Sequence, residues 1–237
     1  MSDSLVIIPT YNEIENIEPM IRRVFSLALP FHLLIVDDGS PDGTANKVKE
    51  LMEEFKGRLF ILERKGKLGL GTAYIAGFKW ALQGSYEYIF EMDCDFSHPP
   101  EKLVELHEAC TDKGDVAVGS RYVKGGSVDN WPFHRLLISR GAGIYVSLVL
   151  GLGVKDATAG FVCYRRKVLE KLNLDGIKFI GYAFQIEMKY KSKKAGFKIV
   201  EVPIRFADRL YGVSKMSMNI FKEAFLGVLK MRFSRDI

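Results

Sequence analysis

Tyr88-Ile89-Phe90-Glu91-Met92-Asp93-Cys94-Asp95-Phe96-Ser97-His98-Pro99-Pro100 begins as an apolar, β-prone run and ends in two carboxylates one residue apart, before a Pro-Pro stop. Alternate side chains of an extended chain share a face, so Asp93 and Asp95 are expected to point the same way off a strand end. Two adjacent carboxylates repel unless a cation lies beside them. A hard divalent ion suits all-oxygen ligands, and Mg2+ is commonly held by one or two carboxylates with substrate phosphates completing its shell. The competing assignment is a solvated pair that caps the helix after Pro99-Pro100.

The flanking chain decides between these assignments. Apolar β-branched runs at Leu5–Ile8, Phe31–Val36, Leu59–Leu62 and Asp115–Ser120 alternate with helical periodicity over Ile14–Leu27, Ala45–Phe55, Thr72–Leu82 and Glu101–Cys110. Strand–loop–helix repetition predicts an α/β fold with a mostly parallel sheet flanked by helices, in which ligands bind beyond the carboxyl ends of the strands. Four such ends carry ligand-competent residues: Pro9–Glu13, Asp37–Ser40, Asp93–Asp95 and Ser120-Arg121. After Arg121 the pattern changes. A Gly loop and the apolar stretch Arg135–Val154 precede a strand at Phe161–Tyr164, a helix from Gly181, and a strand over Lys198–Phe206 whose Pro203 argues for an edge.

The 237 residues carry a net charge of +5, are 48% hydrophobic and 27% charged, and contain no repeat. The basic balance favours an anionic partner. Nucleic acid is not expected, because the basic residues are not interleaved with aromatics along one surface. Cys94, Cys110 and Cys163 fit neither a zinc site nor a disulfide framework and point to a reducing compartment. Met-Ser-Asp-Ser leads directly into a strand with no signal-peptide pattern, so a cytoplasmic location is expected. Leu136–Val154 approaches the length of a membrane span, but Arg140 and four glycines argue for a buried or interfacial helix. Gly66–Gly71 lacks the spacing of an ATPase phosphate loop, though a helix start at Thr72 could assist anion binding.

Val6–Glu13, Val36–Thr44, Asp93–Pro99, Gly119–Tyr122 and Arg209–Lys215 occur in an order that resembles the polyprenol (dolichyl) phosphate mannosyltransferases of the inverting family 2 glycosyltransferases, over about Leu5 to Lys215. The resemblance implies a single GT-A domain over residues 1–215, with a nucleotide-binding half to about 121 and an acceptor half over 122–215. It implies mannose transfer from GDP-mannose to a polyprenyl phosphate. Pro9, Tyr11, Glu13, Val36 and Asp38 would line the GDP pocket. Asp93, Cys94 and Asp95 would lie along the ribose and diphosphate, with Asp95, Asp93 and Ser97 meeting Mg2+ or Mn2+ and Cys94 as a neutral spacer. Arg121, Arg209 and Lys215 would form a cationic clamp on two mutually repelling anions. An anionic phosphate nucleophile needs little help from a base; Asp95 and Glu187 are the candidates if one acts. His98 is expected to be structural. Donor choice rests on few residues, so a UDP-glucose-dependent relative is the alternative, and a non-catalytic nucleotide-binding protein the second.

The acceptor tail needs an apolar path. Trp131, Phe133, Leu136, Leu137, Ile138, Tyr145 and Val146 could line it, with Arg135 and Arg140 near lipid phosphates, or the same residues could be ordinary core helix. Residues 216–237 form an amphipathic segment that could pack on the body or lie on an anionic membrane. A peripheral position at the cytoplasmic membrane face, with or without a membrane-protein partner, is therefore expected.

Overall fold

The computed structural model describes residues 2–207 and 227–233. Its strands are β1 (Ser4–Thr10), β2 (His32–Asp37), β3 (Leu59–Glu63), β4 (Tyr88–Glu91), β5 (Val116–Ser120), β6 (Ser127–Val128), β7 (Val162–Arg165), β8 (Ile199–Pro203) and β9 (Arg205–Phe206). The α-helices are α1 (Ile14–Phe25), α2 (Thr44–Glu54), α3 (Leu70–Gln83), α4 (Lys102–Asp112), α5 (Phe133–Leu150), α6 (Arg166–Lys171) and α7 (Tyr182–Lys194), and residues 227–233 are also helical. Seven strands form one sheet in the order β3-β2-β1-β4-β7-β5-β8, and β6 pairs with β9.

The α/β alternation seen in the sequence is the architecture observed. One strand departs from it: β7 runs antiparallel between β4 and β5, so that the later part of the chain enters the same sheet as the first. Strand periodicity sorts the core into two layers. Val6, Ile8, Leu33, Ile35 and Phe90 pack under α1, α2 and α4, while Leu5, Ile7, Leu34, Val36 and Ile89 face α3 and α7. The predicted strand over Lys198–Phe206 breaks at Ile204, whose backbone N–H turns to the Ser120 carbonyl (3.0 Å), and β8 is the sheet edge, as Pro203 suggested.

A third apolar cluster joins Val146 and Leu150 of α5 to Ala183, Ile186 and Tyr190 of α7, with Val228 and Met231 packed into it. The described end of the C-terminal segment therefore packs on the body; residues 216–226 and 234–237 lie outside the described residues.

Helix α3 approaches α7 closely at Gly71. A Cβ there would lie 2.8 Å from the Phe184 ring and 2.9 Å from the Phe179 carbonyl. Gly71→Ala is therefore expected to lower stability by roughly 1–3 kcal/mol through overpacking, measured as a shift in the urea midpoint at constant slope. An unchanged midpoint would show that the backbone of residue 179 yields freely.

Candidate functional site at the strand ends

The strand-end carboxylates are positioned by loops that hold one another. Asp37, almost fully buried, accepts from the Thr10 hydroxyl (2.9 Å), the Ser40 hydroxyl (2.6 Å) and the Ser40 N–H (2.9 Å), joining the ends of β1 and β2. From the same loop, the Ser40 hydroxyl receives the Asn12 N–H, the Asp42 carboxylate the Ile14 N–H and the Thr44 hydroxyl the Glu13 N–H, at 3.0 to 3.1 Å. These N–H groups at the start of α1 would otherwise lack partners. The Asp-Gly-Ser-Pro-Asp-Gly-Thr run thus supplies, from a distant loop, the caps that α1 lacks in its own sequence.

Around this frame the expected nucleotide-pocket residues divide. Pro9, Tyr11 and Glu13 are partly exposed, and Lys67 sits 4.9 Å over the Tyr11 ring. Glu13 accepts from the Asn16 amide at 2.8 Å. Asp38 is paired with Arg64 at 2.9 Å, both about one-tenth exposed. Burial raises the Asp38 pKa, with the Arg64 charge opposing. Val36 is a correction: its side chain is fully buried in the α3-facing core, so only its backbone reaches the strand end.

The Asp93–Ser97 segment differs from its expected geometry. β4 stops at Glu91, so strand alternation does not place the two carboxylates. A tight turn does. Phe96 is left-handed (φ 60°), a conformation that costs a bulky residue on the order of 1–3 kcal/mol. The turn returns the Ser97 N–H and hydroxyl to Asp95 Oδ1, at 3.1 and 2.5 Å. His98 lies beneath, stacked on Phe161 at 5.1 Å, and its Nδ1 accepts the Asp93 N–H at 3.1 Å, which assigns its own proton to Nε2 when the ring is neutral. Asp95 is buried and Asp93 is about one-third exposed, with Tyr74 3.4 Å from Asp93 Oδ1. Cys94 is a second correction as a binding side chain. Its thiol is turned into the core beside Met92, and burial raises its pKa well above normal, with Glu13, Asp95 and Asp93 adding to the rise.

Asp93, Asp95 and Ser97 offer only hard oxygen atoms. Among the described residues no group of three His, Cys, Asp or Glu side chains could hold a metal alone. That donor set fits a hard divalent cation sharing its shell with substrate phosphates, and does not fit a closed protein cage.

Arg121 requires the largest revision. Its Nε and Nη2 donate to the two oxygens of Asp156 (2.8 and 2.7 Å), its backbone N–H to the same carboxylate (2.9 Å), and Nη2 also to Thr158 (3.0 Å). Tyr122, Trp131 and Phe206 lie 5.2 to 5.5 Å from the guanidinium. The fork expected to grip phosphate is turned to a buried acid instead. Asp156 is held in turn by Glu201, which accepts its N–H at 3.0 Å. Sequence inspection missed Asp156; the only available signal was a lone acid in the short turn after the apolar helix. It also missed Arg64 and Tyr74, whose contacts with Asp38 and Asp93 join separate elements. Glu187, the other base candidate, is buried, accepts the N–H groups of Lys178 and Phe179, and pairs with Lys191, contacts that suit a structural role. Arg209 and Lys215 lie outside the described residues.

A mixed sheet with one reversed strand and a carboxylate turn beyond its central strand is the GT-A arrangement. It superposes with a TM-score of 0.67 on glucosyl-3-phosphoglycerate synthase from Mycobacterium tuberculosis solved with Mn2+, UDP and phosphoglyceric acid, at 17% identity, covering 97% of this chain and 78% of that one. A mannosyltransferase from Pyrobaculum calidifontis, solved with GDP-Man and Mn2+, gives 0.61 at 14% identity over 98% of this chain and 70% of the other. At these identities the likeness is one of fold.

The chain belongs to glycosyl transferase family 2, whose model matches residues 5–173, and it is a glycosyltransferase. It is 48% identical to a polyprenol monophosphomannose synthase of Mycolicibacterium smegmatis, over 95% of this chain and 85% of that protein. It is 43% identical to an undecaprenyl-phosphate mannosyltransferase of Micrococcus luteus, over 95% and 92%.

Proposed function

We propose that the protein transfers mannose from GDP-mannose to a polyprenyl phosphate, with inversion at the anomeric carbon. The observation that carries this is the 48% identity, across nearly the whole chain, to a polyprenol monophosphomannose synthase. The oxygen donors of Asp93, Asp95 and Ser97 support it, since they suit a divalent cation shared with a diphosphate donor. In the reaction an acceptor phosphate oxygen attacks the anomeric carbon, the bond from that carbon to the diphosphate oxygen breaks, and GDP leaves with the electron pair. The nucleophile is already an anion, so no side chain need remove a proton. Asp95, with Asp93 and Ser97, would hold Mg2+ or Mn2+, whose charge offsets that of the departing diphosphate. Pro9, Tyr11, Glu13 and Asp38 border the nucleotide. Arg209 and Lys215 would supply cations for the two anions, as the resemblance implies, and Arg121, paired with Asp156, would shape the acceptor side. Residues 1–215 would constitute the catalytic domain.

The acceptor and the membrane are met through α5. Val146, expected on the lipid path, is in the core, but Phe133, Leu137, Ile144 and Leu148 recur at helical spacing and are 62–78% exposed, with Ile138 at 52% beside them. Arg135 stacks on Trp131 at 3.9 Å and Arg140 lies 5.6 Å over Tyr122, placing cations at the end of this stripe nearest Arg121. An apolar face edged by arginines suits an anionic bilayer, and none of the described helices is long and apolar enough to cross one. The protein would then act peripherally, at the cytoplasmic face. Leu137→Glu with Leu148→Glu is expected to abolish co-flotation with phosphatidylglycerol-containing liposomes while leaving GDP binding intact. Undiminished flotation would remove α5 from the membrane contact.

The test of function is transfer of radiolabelled mannose from GDP-mannose to a short polyprenyl phosphate with Mg2+, with Mn2+ and with EDTA. Metal-dependent lipid-linked mannose is the expected result. Turnover only with UDP-glucose would move the donor, and silence with every sugar nucleotide would overturn the catalytic assignment.

A further inference from the structure

A fully buried polar network lies beneath the site and takes no part in the chemistry above. Lys189 of α7 is 0% exposed. Its Nζ donates to the Ala159 carbonyl at 2.6 Å and lies 3.2 and 3.4 Å from the backbone and side-chain oxygens of Gln185. The Gln185 amide donates in turn to Glu91 Oε2 at 2.7 Å, and Glu91, the last residue of β4, is also 0% exposed. Glu91 Oε1 has no hydrogen-bond partner.

Stability does not account for this arrangement. Moving an ammonium and a carboxylate out of water costs several kcal/mol per ion, and well-packed apolar replacements of buried pairs are often neutral or stabilising. Burial pushes the Lys189 pKa down to about 8, against the attraction of Glu91 and Asp156, and pushes that of Glu91 up to about 8, against the Lys189 charge and the Gln185 hydrogen bond. What the ammonium does achieve is positional. Its shortest bond is to a carbonyl of the turn 156–160, which begins with Asp156, the residue that grips Arg121 at backbone and side chain. Glu201 holds the same turn from β8 through the Lys155 and Asp156 N–H groups, both at 3.0 Å. The turn is therefore clamped from two sides, and Arg121 takes its place from it.

We propose that Lys189 is a positioning residue for the acceptor side of the site: by clasping the Ala159 carbonyl it fixes the turn 156–160, and through Asp156 it fixes Arg121. The kinetic part of this inference rests on the proposed transferase function; the structural part does not.

The test compares the wild type with K189M and with E91L/K189M, the second of which removes the Ala159 bond without leaving a buried unpaired carboxylate. In E91L/K189M the Tm is expected to stay near the wild-type value. The Arg121 amide and those of 156–160 are expected to exchange with deuterium at least roughly tenfold faster. Transfer kcat/KM toward polyprenyl phosphate is expected to fall by about tenfold to a hundredfold with the GDP Kd unchanged. Adding K189M to a D156N background should cause little further loss, because both act through one linkage. Unchanged exchange and unchanged kcat/KM in folded E91L/K189M would overturn the proposal. So would a matching fall in GDP affinity, or fully additive losses with D156N. If E91L/K189M fails to fold while K189M folds, exchange in K189M decides. If neither variant folds, the role is structural and the proposal fails. A wild type that transfers no mannose would sink the proposed function alone, leaving the exchange measurement to judge Lys189.

Discussion

Asp95→Ala is expected to lower metal-dependent mannose transfer by roughly two to three orders of magnitude, the scale seen when a preorganised electrostatic contact to developing charge is removed. Asp95 is the buried carboxylate of the turn, and Ser97 fixes one of its oxygens through two hydrogen bonds. A carboxylate so held is preorganised: its direction is set before any ligand arrives. Removing it frees the Ser97 hydroxyl and releases the contact that returns the chain after the left-handed Phe96. GDP binding with Mn2+ should then fall to the level measured in EDTA. Isothermal titration with and without Mn2+, beside the transfer assay, separates the two effects. Full Mn2+-dependent turnover by the variant would place the cation elsewhere.

Asp156→Ala is expected to be the most damaging change around Arg121, and it would act on stability as well as rate. The Arg121 side chain is only 10% exposed and Asp156 is fully buried, so deleting the acid removes from a largely aromatic surrounding the carboxylate that both Nε and Nη2 reach. Breaking a buried pair from one side typically costs about 3–5 kcal/mol. That is a large fraction of a domain's total stability and should appear as a marked fall in Tm. The paired replacement Arg121→Met with Asp156→Leu is expected to recover most of the stability and none of the transfer. A double variant that regained both would reduce the pair to packing.

Much of the α/β class was legible because its signal is local. Apolar runs at Leu5–Ile8 and Phe31–Val36, followed by helical periodicity, record which face of each element is buried, and burial dominates residue choice there. The site was partly legible for the same reason: Asp93, Asp95 and Ser97 are close in sequence, and Val36–Thr44 carries its turn chemistry in consecutive residues. The partnerships were not legible. Arg121 and Asp156 are 35 positions apart and Glu91 and Gln185 are 94 apart, and no spacing rule connects them. An acid closing the apolar strand Tyr88–Glu91 was the one hint that a buried partner existed.

The alternation of elements and the gathering of oxygen-rich candidate residues at the strand ends follow from side-chain type and short-range geometry, and could be read without the fold. The tertiary structure alone decided the rest. It reversed β7 between β4 and β5, turned the Arg121 fork, expected on phosphate, to Asp156, and drew Val36 and Cys94 into the core. Among the described residues it also left Phe133, Leu137, Ile144 and Leu148 of α5 exposed. Each of these depends on which distant segment supplies the neighbour. A charge or an apolar surface acquires its role only when the surroundings that solvate, pair or bury it are set by the whole fold.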